Sequence, residues 1–182
     1  MSDFLDYCED KPETIIRVKK TSNNRWKAQQ REYLLEINNS ILNKIEDECI
    51  RANSVETGGI LIGNYSDDLK TAFISDATKQ PVDSSFGSTW FFRGVVGLKR
   101  ILLKKWHNDE RAYYIGEWHY HPAFNTKPSK TDISQMKKIS NSVEYQCKEP
   151  ILLIVARNSQ LCLSMRIFIF PRNHDPVEFV SL

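Results

Sequence analysis

The sequence predicts an α/β domain in which a mixed sheet is covered by helices. Short apolar runs such as "GGILIGNY" (58–65), "ILLIVA" (151–156) and "LCLSMRIFIF" (161–170) have the length and composition of strands. Segments with apolar residues at helical spacing lie between such runs, the pattern of helices packed on a sheet. At 182 residues and 41% hydrophobic, the chain can bury one substantial core and is too short for two ordinary domains.

Residues 1–30 read as an irregular N-terminal extension with one strand candidate, "TIIRV" (14–18), and residues 31–182 as the domain. "YLLEI" (33–37) reads as a strand and "NNSILNKIEDECIRA" (38–52) as a helix capped by Asn or Ser, with Ile41, Leu42, Ile45 and Cys49 on one face. "GGILIGNY" is opened by two glycines and can pair with "TAFISDATK" (71–79); "STWFFR" (88–93) adds a third short strand. "VGLKRILLKKWHND" (96–109) places Leu98, Ile101, Leu102 and Trp106 at helical spacing, which predicts an amphipathic helix. "AYYIGEWHYH" (112–121) alternates as a strand, "DISQMKKIS" (132–140) is a helix with Ile133, Met136 and Ile139 inward, and two closing strands follow.

Composition excludes several classes of function. The longest apolar stretch, "ILLIVA", is far below the roughly 20 residues of a membrane-spanning helix. The opening "MSDFLDYCED" is acidic where a secretory signal is basic and then apolar, so a cytoplasmic location is expected. Net charge is +2, without the basic footprint of a dedicated nucleic-acid binder. Two local basic stretches, six basic residues around Trp26 (15–31) and Lys99, Arg100, Lys104 and Lys105 (98–107), read as solvated faces open to an acidic protein partner. Cys8, Cys49, Cys147 and Cys162 form no C-x-x-C pair and read as idle or buried thiols.

Chemistry concentrates in "GEWHYHPAFNTKPSKTD" (116–132). On a strand His119 and His121 project to one side, their α-carbons about 7 Å apart, so two imidazoles can converge on one ion. Pro122 and Pro128 favour a turning loop that can return Asp132 to them. Two nitrogens and one carboxylate oxygen form a three-ligand set suited to zinc, with a fourth position open for water. H-x-H alone also fits two ordinary core or surface histidines, and "SKTD" also fits a helix start with Ser129 as N-cap and Asp132 in the first turn. The cap and ligand readings are compatible, since a cap fixes the helix whose first turn carries the ligand. Glu117 falls on the same strand face as His119, behind it, where a supporting contact is geometrically simpler than reach to the metal's water.

The joint spacing H-x-H-x7-S-x2-D, with "ETGGILIG" (56–63) upstream, resembles the signature of the JAB/JAMM metalloproteases of the MPN-domain superfamily. The order of elements over about residues 33–170 resembles that family too. "YIGEWHYHP" is similar to bacterial JAB peptidases, and in particular to the deconjugating peptidases of CBASS (cGAS-like) anti-phage operons. The resemblance implies a single MPN/JAB domain with a deaminase-like mixed sheet flanked by helices, and one Zn2+ on His119, His121 and Asp132. It implies Glu56 as general base, with Glu117 the competing candidate on the His119 strand face, and Ser129 as the hydroxyl that stabilises the tetrahedral oxyanion. Gly58 and Gly59 leave room for an extended tail, which in this family is the C-terminus of a ubiquitin-like modifier threaded as an added strand. The implied activity is isopeptide or peptide cleavage after the C-terminus of a ubiquitin-like or cGAS-like nucleotidyltransferase modifier in anti-phage defence, with protein partners and neither nucleic acid nor membrane. Alternatives are a JAB hydrolase processing a small sulfur-carrier or ubiquitin-like precursor, a non-catalytic MPN scaffold, and a DNA-repair relative; the modest charge argues against the last.

Overall fold

The computed structural model describes residues 14–15, 23–29, 31–107, 111–123, 125–157 and 163–182. In chain order the strands are β1 (Thr14–Ile15), β2 (Asn23–Ala28), β3 (Leu34–Asn38), β4 (Thr57–Tyr65), β5 (Thr71–Ala77), β6 (Ser85–Phe86), β7 (Phe91–Phe92), β8 (Tyr113–His121), β9 (Ile151–Arg157), β10 (Leu163–Ile169) and β11 (Val177–Ser181). The helices are α1 (Asn39–Ala52), α2 (Leu98–His107) and α3 (Lys130–Asn141). The main sheet is mixed, as the sequence implies, and it closes on itself. Strands β2, β3, β5, β4, β8, β9, β10 and β11 hydrogen-bond in that order, and β11 returns to β2. Only β3–β5 and β8–β9 are parallel within this ring, and β1 adds to β10. Among the described residues closure gives each ring strand a neighbour on both sides, only the Thr57–Gly59 start of β4 being registered on β8 alone. The hairpin β6–β7 forms a separate two-stranded sheet.

Several expectations change. The stretch read as an irregular extension contributes β2 to the ring, with Trp26 and Ala28 buried inside it and Arg25 and Lys27 turned outward. Trp26 therefore belongs to the core, and its basic neighbours occupy the opposite face of the strand, where Arg25 pairs with Glu36 at 2.8 Å. Of "TIIRV", residues 16–18 lie outside the described residues. The short strand expected at 88–93 is the second arm of a hairpin, and β11 is an additional closing strand. Asn38 is the N-cap of α1, accepting from the Ser40 N–H at 2.9 Å. On α2 only Leu98 is buried, whereas Ile101, Leu103 and Trp106 are exposed. Cys49 and Cys147 are free and buried, and burial pushes both thiols up, that of Cys147 to about 12; Cys8 and Cys162 lie outside the described residues.

Two apolar clusters hold the fold. One fills the ring, where Leu35, Leu61, Trp118, Tyr120, Leu153 and Ile167 meet Ile41, Leu42 and Ile45 of α1. The other lies on the outer face of β4, β8, β9 and β10, where Ile60, Ile62, Leu152 and Ile154 meet Met136 and Ile139 of α3 and Leu98 of α2.

Strand β8 changes sides between these clusters. Ile115 belongs to the inner one and Tyr114 to the outer, yet further along Trp118 and Tyr120 point inward. The pairing explains this: Leu61 faces Gly116 but Ile62 faces Tyr114, so the register slips by one residue. Because side chains alternate with period two, such a bulge exchanges the two faces for every later residue. Glu117, His119 and His121 are thereby directed to the outer face, beneath α3. Gly116 permits the bulge where β8 runs against β9, since a Cβ there would lie 2.0 Å from the Ile151 carbonyl oxygen. Backbone cannot yield as a flexible side chain does, so Gly116→Ala is expected to cost about 1–3 kcal/mol. Urea denaturation reads this as a lowered midpoint; an unchanged midpoint would show that the close approach is not a constraint.

Candidate metal centre

The candidate centre is assembled where β8 ends against the start of α3. Ser129 is the N-cap of α3: its Oγ accepts from the Asp132 N–H at 3.1 Å, and the Asp132 carboxylate accepts from the Ser129 N–H at 2.7 Å. This reciprocal capping box satisfies two amides that the helix cannot bond internally. It also fixes the Asp132 side chain. The other carboxylate oxygen, Oδ1, faces His119 Nδ1 at 2.8 Å, and Oδ2 is 3.7 Å from His121 Nε2. One donor atom from each of His119, His121 and Asp132 lies within 4.8 Å of the others.

Each imidazole is held from behind. His121 Nδ1 is 3.0 Å from the Asn125 carbonyl, a contact that makes Nδ1 the N–H donor and leaves the Nε2 lone pair facing Asp132. His119 Nε2 is 3.4 Å from the Glu117 carboxylate, and Phe91 of β7 packs edge-on against the His119 ring at 5.6 Å. Glu117 is fully buried and saturated with partners: Arg93 donates from Nε at 3.0 Å and Nη2 at 2.8 Å, Tyr114 Oη at 3.3 Å and Gln135 Nε2 at 3.0 Å. Both of its oxygens are thus already engaged. Composition and spacing give no sign of Arg93 or Phe91, because the topology alone brings them to this point, and Gln135 and Asn125, near Asp132 and His121 in sequence, carry no motif of their own.

The electrostatics favour a cation. Burial pushes the His119 imidazole down, but Asp132 and Glu117 on either side outweigh it and raise its pKa to about 9. Burial pushes the Asp132 carboxyl up, yet the contact with His119 and the bonds with Ser129 hold it at about 2. Glu117 is also held below the usual carboxylate range, because the His119 contact and the Arg93 charge overcome its burial. A site that stabilises an imidazolium this strongly has the field to stabilise a metal ion, and two imidazoles with one carboxylate are a borderline donor set suited to zinc.

Glu56 comes from the turn between α1 and β4, and its N–H donates to the Gly87 carbonyl at 2.8 Å, next to the β6–β7 hairpin. It is partly buried, and its carboxyl is raised, first by burial and then by Asp132, while His121 and His119 pull it down. The turn is fixed through β8 as well, since Tyr120 Oη donates to the Asn53 carbonyl at 3.0 Å. Glu56 therefore feels the charge of the same three groups that form the ligand set. Ser129 is exposed at the mouth; its cap uses an oxygen lone pair and leaves the O–H proton free to donate elsewhere.

Residues 38–167 match the family described as prokaryotic homologs of the JAB domain. The chain belongs to the prokaryotic JAB family. Its relatives include a protein of Enterobacter hormaechei subsp. hoffmannii (strain UCI 50) named CD-NTase/cGAS isopeptidase, 40% identical over 145 residues that cover 80% of this chain and 79% of that protein. A protein of Pseudomonas aeruginosa (strain BWHPSA011 / Pa011) bearing the same name is 29% identical over 137 residues, covering 74% of this chain and 84% of that one. The solution structure of protein DSY2949 from Desulfitobacterium hafniense has a TM-score of 0.49 and 14% identity, covering 79% of this chain and 86% of that one. In this JAB chain all four residues of the H-x-H-x7-S-x2-D pattern meet at one place, and Glu56 is electrostatically coupled to the two histidines and Asp132.

The capping role of Ser129 is separable by mutation. Ser129→Ala is expected to destabilise the protein by about 0.5–2 kcal/mol, and Ser129→Asn, which keeps an acceptor at the N-cap, to recover most of that loss. Urea titration of the three proteins checks it. Equal midpoints for all three would mean that the capping box contributes nothing to α3.

Proposed function

We propose that the chain is a zinc-dependent isopeptidase that cleaves after the C-terminus of a modifier, removing a cGAS-like nucleotidyltransferase or ubiquitin-like protein from its conjugates. The observation that carries this reading is the convergence of His119, His121 and Asp132; Glu56, whose carboxyl feels all three, is the proton acceptor that a hydrolase needs beside its metal. The names of the Enterobacter and Pseudomonas relatives support the choice of acyl partner. The JAB/JAMM resemblance supports zinc, a deaminase-like arrangement of the sheet, and a cytoplasmic role in anti-phage defence; no helix among the described residues is long and apolar enough to cross a membrane.

His119, His121 and Asp132 would hold the ion, which when bound supplies Lewis acidity toward water and the scissile carbonyl. Glu56, its carboxyl raised by burial, accepts the proton of the attacking water and returns it to the departing amine. Ser129 donates its O–H to the carbonyl oxygen as negative charge develops there. Glu117, saturated by Arg93, Tyr114 and Gln135, does not compete for the base role.

The closed ring refines how a tail is held. Strand addition needs an open edge, and among the described residues each ring strand has a neighbour on both sides, with only the Thr57–Gly59 start of β4 registered on β8 alone. The β6–β7 hairpin has an open edge: among the described residues β7 pairs only with β6, and Phe91 of β7 borders His119. We place the modifier's extended tail along this hairpin, leading toward His119 past Phe91; the room expected beside Gly58 is taken by the chain's own Trp118 carbonyl, 2.4 Å from where a Cβ would lie, and by the Phe91 and His119 rings.

Two measurements test the reading. Glu56→Gln is expected to keep its zinc while kcat falls roughly 10²–10⁴-fold, the usual weight of a general base. Full activity in that variant would remove Glu56 from the reaction. A series of fusions in which the modifier's tail is shortened one residue at a time is expected to lose cleavage once the tail no longer spans the hairpin. Equal cutting at every length would identify a general peptidase instead.

A further inference from the structure

The ion pair beneath His119 has a role that stability does not explain. Arg93 is 5% exposed at its side chain and Glu117 0%, and both hairpin-borne donors of Arg93, Nε at 3.0 Å and Nη2 at 2.8 Å, converge on one oxygen, Glu117 Oε1. The other oxygen, Oε2, is shared between Gln135 of α3 at 3.0 Å and the His119 ring at 3.4 Å. Arg93 immediately follows β7, so one carboxylate ties the hairpin, the helix that carries Asp132 and the ligand His119 together. A buried ion pair recovers little more than its own desolvation, and apolar replacements of similar volume are often no less stable. What the pair does uniquely is fix the plane of a carboxylate that in turn fixes an imidazole, the arrangement that orients metal-binding histidines. Phe91, two residues before Arg93, blocks the same ring from the side.

We propose that Arg93 is a positioning residue: acting through Glu117 it holds the His119 ring in its ligand orientation, and so makes metal binding depend on the seating of the β6–β7 hairpin. This rests on the metal-centre reading above. It adds that the hairpin along which we place the substrate tail and the centre are mechanically one unit, so a hairpin displaced from Glu117 releases the restraint on a ligand.

The test is zinc affinity of the full-length protein, measured by competition with a chromophoric chelator, in the wild type, Arg93→Met, Arg93→Lys and the double variant Arg93→Met/Glu117→Gln. Arg93→Met is expected to weaken zinc roughly 10–100-fold, the usual effect of removing a residue that orients a ligand. Arg93→Lys, which keeps a charged donor for Glu117, is expected to lose less. Should the stranded Glu117 charge prevent Arg93→Met from folding, the double variant carries the test, since it buries no unpaired charge; it too is expected to weaken zinc at least tenfold, with a changed visible spectrum when cobalt(II) replaces zinc. Wild-type zinc affinity in the folded double variant would overturn the proposal and leave Arg93–Glu117 a structural pair. Failure of the wild type itself to bind zinc would instead sink the metal-centre reading, so the two failures are distinguishable.

Discussion

The candidate centre depends on a one-residue slip in a strand. Before the bulge, odd-numbered residues of β8 such as Ile115 point into the ring; after it, Trp118 and Tyr120 do. Had β8 run regularly, His119 and His121 would lie among the apolar side chains inside the ring, far from α3 and any substrate. The bulge sends them outward and at the same time gives the interior Trp118, whose indole N–H donates to the Thr78 carbonyl at 2.9 Å. One local irregularity therefore satisfies both demands on the strand, an apolar core on one side and polar donors on the other.

The second economy is at the start of α3. Asp132 closes the capping box and faces both histidines, so the interaction that nucleates the helix also aims the carboxylate. Helix, strand and hairpin then meet around His119, whose two nitrogens are occupied by Asp132 and Glu117 and whose ring is covered by Phe91. Such a centre resists distortion, because moving any one element breaks contacts with the others, and preorganisation of this kind is what charge stabilisation in hydrolysis requires.

What the sequence made legible follows the range of the interactions. His119, His121, Ser129 and Asp132 stood out because strand alternation and helix capping are local rules, and the structure brings the three candidate ligands within 4.8 Å. Glu56 was readable only through the family pattern, since 63 positions separate it from His119. The closed ring was not readable: it requires β11 to find β2, placing Ser181 opposite Trp26, and nothing in either segment announces the other. "NNRWKA" offers only Trp26 and Ala28 to the core, too little alternation to stand out amid basic residues. Gly116 inside an apolar strand was the one visible sign of the bulge. Arg93, the last residue of a short strand candidate, carried no signal of its contact 2.8 Å from a buried glutamate.

The central claim is that β8 and α3 deliver His119, His121 and Asp132 to a single metal ion on the outer face of the ring. Anomalous diffraction at the zinc absorption edge, from crystals of the protein loaded with zinc, tests it most directly. The account predicts one strong peak enclosed by those three side chains, with Glu56 facing it. A zinc-loaded crystal with no peak there, or with its peak on other residues, would contradict it.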